Sequence, residues 1–578
     1  MSRVSLLFFG LLASLILCAP ALSDYHERLT LYPLPLGSLL ASFDFRSNET
    51  LSAFQQENFR YFPRSLGQIL KHSNTKELHL RFSTGRWDPE VWGERPWNGV
   101  KEGGTGVELW AWIEAPTEDQ AFEKWTSLTQ LLSGLFCASL NFVDSTRTTR
   151  PVVSFGAKGD HNQADGGLHL LHGVLPGEVV CTENLTPFLK LLPCKGKAGI
   201  SSLLDGHKVF DAAWQSMAID IRPVCPSDRS ECVVEIQQTI DIVLDIERSK
   251  RPHDDPIPRP IRSNIPWSLQ ELFGRPIAGS CPLIEEVGPN STPVCLKVPH
   301  DRKVLTSAGA IESKSLPGAS EERYYHLLPD QDFDITLPET EKEQIVSPGK
   351  ELVHAERTIT GHGAAQGGIR TILINPSFTD SVDFVYFESL PWFMRPFVHT
   401  LRAEITETKL SSPPSSEIIQ GMYYRPAVDR ERGTQLELII SIPPASTVTL
   451  IYDFEKAILR YTEYPPDANR GFNVAPAVIR ILSQGNATDH QPDVYIRTTS
   501  LLLPLPTPDF SMPYNVIILT STVIALAFGS IYNMLIRRFV AADEVPRFDP
   551  KKIKGVIIAR LTALKAKFGG DAKTQKVE

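Results

Sequence analysis

The chain has 578 residues, of which 42% are hydrophobic and 22% charged, with a formal net charge of −9. That length holds two or more ordinary domains, and the acidic balance argues against nucleic acid as a partner of the main body. The charge is uneven: from Arg537 onward there are 11 Lys or Arg against 5 Asp or Glu, so a basic tail follows an acidic remainder.

In chain order, residues 1–23 read as a cleavable signal peptide. Arg3 precedes the apolar run Leu6 to Leu17, and Ala21-Leu22-Ser23 stands ahead of Asp24. Residues 24–249 are expected to form an N-terminal lumenal domain. In it Trp87, Trp92, Trp97, Trp110 and Trp112 cluster, either as core or as stacking surfaces for sugars or partners. A helix is predicted from Glu118 to Phe136, where Phe122, Trp125, Leu128, Leu132 and Leu135 share a face and Thr117 with Gln120 makes a capping signature. Asp160, Asn162 and Asp165-Gly166 miss the spacing of a calcium loop and read as a polar surface loop, so no metal site is expected. Val234, Ile236, Ile240, Ile242, Leu244 and Ile246 alternate with polar residues, the pattern of a half-buried strand.

Residues 250–350 are charged, polar and Pro-bearing and read as linker and long loops. Residues 351–503 are expected to form a C-terminal lumenal β domain. There Gly361, Gly363, Gly367 and Gly368 miss dinucleotide-binding spacing and suit a turn or bulge. Leu436, Leu438, Ile440 and Ile442, then Val448, Leu450, Tyr452 and Phe454 across Pro443-Pro444, read as an antiparallel hairpin. The fold class that follows is mainly β: lumenal β-sandwich domains with accessory helices, plus one C-terminal transmembrane helix.

After a juxtamembrane segment, 504–515, the run 516–536 carries no Asp, Glu, Lys or Arg and is long enough to cross a bilayer. Arg537, Arg538, Arg547, Lys551, Lys552 and Lys554 follow, which places 537–578 in the cytosol and the large N-terminal part in a lumen. Ser521, Ala525, Gly529 and Asn533 recur at steps of four, a face of small or polar residues suited to packing beside other membrane helices.

Of eight cysteines, Cys18 lies in the signal, leaving an odd count in an oxidising compartment. Cys225 with Cys232 and Cys281 with Cys295 each flank a short loop suited to a local bridge. Cys181 has two readings, an intramolecular bridge, for instance to Cys194, or a bond to another chain. Sequons stand at Asn48, Asn184, Asn290 and Asn486. No nucleophile elbow, HExxH, P-loop or paired CxxC is present, so no catalytic residue and no cofactor is expected.

Five strings carry a resemblance: 505–517 (LPTPDFSMPYNVI), 136–142 (FCASLNF), 179–187 (VVCTENLTP), 221–225 (IRPVC) and 461–467 (YTEYPPD). Together they resemble the PIG-T family, subunits of the GPI transamidase. The resemblance spans nearly the whole mature chain. It implies the endoplasmic reticulum membrane, single-pass type I topology, and a noncatalytic scaffold that holds the caspase-like PIG-K-type protease subunit. It also implies that Cys181 carries the disulfide to that subunit. Other membrane subunits would then lie against the small-residue face of the span, and Asn515, Thr520 and Asn533 would lie close to the GPI lipid. Residues 250–350 and Cys295 depart from the family pattern. The alternative from another class is a cell-surface adhesion or glycan-binding receptor; a third is a lumenal hydrolase.

Overall fold

The computed structural model describes residues 24–161, 167–225, 231–251, 265–284, 293–313, 321–340, 345–506, 511–537 and 550–568, apart from 362, 364, 409–416, 466, 468–469 and 483–492. The signal peptide, Asn290, Asn486 and the middle of the Asp160 loop lie outside the described residues. The fold is mainly β, with several sheets and one C-terminal helix long and apolar enough to span a membrane, Tyr514–Ile536. The described residues up to Pro506 make one compact unit and those from Ser511 onward another.

The larger sheet has eleven strands. Its order is Ala310–Ser313, Glu322–Leu327, Pro293–Lys297, Asp24–Leu34, Ser38–Thr50, Val233–Asp245, Trp214–Val224, Thr75–Thr84, Gly106–Glu114, Leu168–Leu175 and Thr148–Thr149. Pairing is antiparallel except where Asp24–Leu34 meets Pro293–Lys297 in parallel. On one face the Glu118–Phe136 helix packs with Trp125, Leu128, Leu132 and Phe136 fully buried. Thr117 caps it, its Oγ1 accepting from the Gln120 amide at 3.3 Å.

Part of the expected linker is built into this sheet. Pro293–Lys297 and Glu322–Leu327 pair within it, and Trp267, Leu272, Phe273, Phe333 and Ile335 join the core. Burial of this apolar set outweighs the polar composition around it.

A second body, a two-sheet sandwich, follows. One sheet joins His354–Thr360, Gln366–Ile374, Ser446–Lys456 and Met394–Pro396, with Arg402–Thr408 also on Ser446–Lys456. The other joins Ile419–Arg425, Thr434–Ile442, Val382–Leu390, Val478–Ile481 and Val494–Arg497. The hairpin expected across Pro443-Pro444 is therefore corrected: its two strands lie in different sheets. Two prolines lack the amides a hairpin ladder needs, and Ala445 at φ 46° turns the chain from one sheet to the other. Gly367 and Gly368 are strand residues, with Phe454 packed where a Gly367 side chain would stand.

The Val233–Asp245 strand is buried on both faces, because Gln237, Thr239 and Asp241 lie beneath a layer of ion pairs. On that face the two β bodies meet. Glu437 of the second body accepts from the amides of Val152, Val153 and Ser154 at 2.7–2.9 Å and from Ser154 Oγ at 2.6 Å. Arg480 donates to Val153 O at 2.9 Å, and Phe155 packs on Phe387 and Tyr495.

Candidate functional site

Three described cysteines are free: Cys137 exposed, Cys181 half-buried and Cys295 buried. The other four pair as Cys225–Cys232 and Cys194–Cys281. The expected Cys281–Cys295 bridge is corrected. Val294 and Leu296 enter the core that contains Cys281, so strand alternation turns Cys295 to the opposite face. A Cys181–Cys194 bond is likewise replaced by the 87-residue closure to Cys281. Glu27, Cys194 and Cys281 lie within metal-ligand reach of one another, but both sulfurs are spent in the disulfide.

Cys181 is the N-cap of the Thr182–Leu191 helix, in extended conformation at φ −149°. Leu185 and Phe188 bury the inner face of that helix, and Glu183 in its first turn suits the positive end of the helix dipole. The Cys181 amide donates to Asn184 Oδ1 at 2.9 Å, while Asn184 Nδ2 donates to Phe136 O at 2.9 Å and Cys137 O at 3.4 Å. One buried side chain thus ties the start of this helix to the end of the Glu118–Phe136 helix. The backbone around Cys181 is held on both sides of the thiol.

Asn184 is 2% exposed with its amide nitrogen engaged, so the sequon reading there is corrected: a glycan has neither room nor a free nitrogen. Asn48 sits half-buried within the Ser38–Thr50 strand.

Two exposed apolar side chains stand on the segments leading to the helix start at Cys181 and following the Glu118–Phe136 helix. Val179 is 78% and Phe142 61% exposed, and Glu178 Oε1 accepts from the Ser139 amide at 2.8 Å, joining the two segments that carry them. Beside them a cavity of about 390 Å³ opens at the seam of the two β bodies, between Phe142, Glu178, Leu390, Phe472 and Asn473. Neither the Asn184 clamp nor this apolar rim was read from the sequence. An Asn three residues after a non-helical residue is a capping signal that could have found the first.

The tryptophans divide. Trp87, Trp92 and Trp110 are buried, Trp87 packing edge-on against Trp92 and Trp214. Trp97 and Trp112 are half-buried. Asp160 accepts from the Cys225 amide at 2.8 Å, a structural use of its carboxylate.

The C-terminal helix runs Ser511–Ile536, so its start overlaps the expected juxtamembrane segment, 504–515, and Asn515 lies inside the helix. Asn515, Ser521, Ala525 and Asn533 are exposed along it, and a side chain at Gly529 would meet nothing within 4 Å. Thr520 and Thr522 each donate to the carbonyl four residues back, at 2.7 Å, so these hydroxyls are satisfied within the helix.

Comparison with known proteins supplies the wider setting. A family model described as Gpi16 subunit, GPI transamidase component, matches residues 9–562. The chain is 37% identical to the GPI transamidase component GPI16 of Saccharomyces cerevisiae, covering 95% of this chain and 94% of that one. It is 36% identical to the PIG-T homolog of Schizosaccharomyces pombe, covering 93% and 94%, and 35% identical to the human GPI-anchor transamidase component PIGT, covering 90% and 92%.

Proposed function

The chain belongs to the Gpi16 family of GPI transamidase components, and on that premise we propose that it is a noncatalytic scaffold that holds and stabilises a caspase-like, PIG-K-type protease subunit. The catalytic residues lie on that other subunit. The body up to Pro506 is lumenal in the endoplasmic reticulum, the Ser511–Ile536 helix crosses the membrane, and the basic tail is cytosolic. Cys181 forms the disulfide to the protease subunit, and the Ser521, Ala525, Gly529 and Asn533 face packs beside other membrane subunits. Asn515, Thr520 and Asn533 lie near the GPI lipid.

The observation that carries this reading is the state of Cys181: a free, half-buried thiol on a clamped helix start, beside the exposed Val179 and Phe142. A disulfide there makes partner reassociation effectively intramolecular, so an interface of modest size suffices. The test is detergent pull-down of the tagged chain on non-reducing and reducing gels, wild type against Cys181→Ser, with partners identified by mass spectrometry. A reducible adduct with a caspase-like chain, lost in the variant, is the expected result. Copurification without an adduct would discard the tether alone, and absence of both would discard the scaffold.

A further inference from the structure

The end of the two-sheet sandwich from which the chain leaves is closed by residues 457–464, which include a single 3-10 turn, Tyr461–Glu463. The Ala457 amide donates to Phe393 O at 2.7 Å, and Leu459 is buried in one apolar cluster with Trp392, Met394, Leu503 and Leu505. Glu463 fixes the far side, its Oε1 accepting from Arg430 Nε and its Oε2 from the Arg460 amide at 2.7 Å. The turn is held at both of its ends.

What this held turn presents outward is unusual for a surface. Ile458 is 90% and Tyr461 53% exposed, and Arg460 between them is exposed as well. An aliphatic, a cationic and an aromatic side chain stand together, the kinds that anchor at a membrane–water interface. The aliphatic chain enters lipid, the tyrosine ring sits at headgroup level, and the arginine stem lies along apolar surface while its charge reaches phosphate.

The covalent chain selects the occupant. Tyr464 Oη donates to Pro506 O at 2.7 Å, and Lys456 Nζ donates to Pro504 O at 2.9 Å, so the turn is bonded to the last stretch of the body before the span. From Pro506 to Ser511, where the spanning helix begins, are five residue steps, a reach of at most about 18 Å. Three more residues, about 4.5 Å of helix, lead to Tyr514 and the apolar span. The headgroup layer itself adds about 5–7 Å to each side of the apolar core. The turn is thus leashed close to lipid whatever else the body binds. We infer that residues 457–464 form a membrane-interface anchor, with Ile458 and Tyr461 seated in the headgroup layer of the bilayer that the chain itself crosses. Turn and span then make two points of contact, which restrain a body that one linker would leave free to swivel. The inference rests on the reading that Tyr514–Ile536 crosses the membrane.

The test uses the full chain in phosphatidylcholine nanodiscs, with Cys137→Ser and Cys181→Ser removing the accessible thiols and one new cysteine carrying a small fluorophore. Lipid spin-labelled near the headgroup quenches only what it touches. Loss of emission is expected at Ile458→Cys; should that variant fail to fold, Thr462→Cys, also exposed on the turn, carries the label with the same expectation. Phe378→Cys is the control. It is exposed at the opposite end of the sandwich, where the Ala445 amide donates to Ser377 O, and the Ser446–Lys456 strand puts about 33 Å between the two ends. No loss is expected there. Ala525→Cys, quenched by lipid labelled deep in its acyl chain, checks the span separately. No quenching at Ala525 overturns the membrane reading and the inference with it, whereas quenching at Ala525 without quenching on the turn overturns the inference alone. Equal quenching at Ile458 and Phe378 overturns it as well, because contact would then not belong to this end. Shielding of the Ile458 label from iodide only in the complex purified with its partner subunits, without quenching by lipid, gives the turn to a protein partner and also overturns it.

Discussion

Arg497 of the second body donates from Nε to Glu108 Oε2 of the first sheet at 2.7 Å, and both side chains are almost wholly buried. Burial alone would raise the Glu108 pKa, but the Arg497 charge and the His172 hydrogen bond override it and hold the carboxyl far below its usual range. The Arg497 guanidinium also donates to Gly99 O at 3.2 Å, so the pair anchors the turn that carries Trp97. Arg497→Met should leave Glu108 charged and unpaired in the interior and destabilise the protein by about 3–5 kcal/mol. The double variant with Glu108→Gln should recover part of that loss. Thermal melts of the purified full chain and its three variants form the cycle that checks this. Because the folded Glu108 pKa is depressed, its contribution is present above about pH 4 and is lost as the pH falls further.

Asn184→Ala removes the clamp between two helices without touching a cysteine. The lost cap and the unsatisfied Phe136 carbonyl should together cost roughly 1–3 kcal/mol. The Cys181 adduct in the pull-down should fall with it, while Cys181 itself remains reactive to a small maleimide. Glycopeptide mapping of the wild-type chain should find Asn184 unmodified. A glycan on Asn184 would contradict the buried position of its amide.

Disulfide mapping under non-reducing digestion should return Cys194 linked to Cys281 and Cys225 linked to Cys232. Cys137 should alkylate in the native protein, and Cys295 only after denaturation. Cys194→Ser with Cys281→Ser opens a closure of 87 residues and should cost about 2–5 kcal/mol. A peptide joining Cys281 to Cys295 would refute the assigned pairing.

Burial pushes Glu27 up to about 7, and donation from the Tyr25 hydroxyl and the Ile200 amide offsets this only in part. A carboxyl with a raised folded pKa contributes stability that is fully present below its unfolded value, about 4.5, and is lost as the pH rises through the folded one. Stability should therefore decline from pH 5 to pH 8, by up to roughly 3 kcal/mol from this group. Glu27→Gln should flatten part of that decline. Asp241 and Glu351, which burial also pushes to about 7, keep the remainder. Denaturation midpoints at intervals across this range for both proteins decide the matter, and parallel curves would count against a neutral Glu27.

The membrane-spanning helix and the Glu118–Phe136 helix were legible in the sequence because each is specified locally. An uncharged run of bilayer length and an apolar stripe with a capped start need no distant partner to be recognised. Alternation likewise marked the inward residues at 436–442 and 448–454, since it reports which side of a strand is apolar. It does not report which strand lies next to which, and only the tertiary structure set those two strands in different sheets. Polar residues such as Gln237, Thr239 and Asp241 looked solvent-facing for the same reason. Their burial depends on partners such as Lys101 and Trp97, more than a hundred residues away. The pairing of Cys194 with Cys281 and the Asn184 clamp also arise from segments distant in the chain. Sequence specified the span, the helix and the apolar faces, because these depend on local composition; the fold alone decided the junctions between them, because these depend on which distant side chains meet.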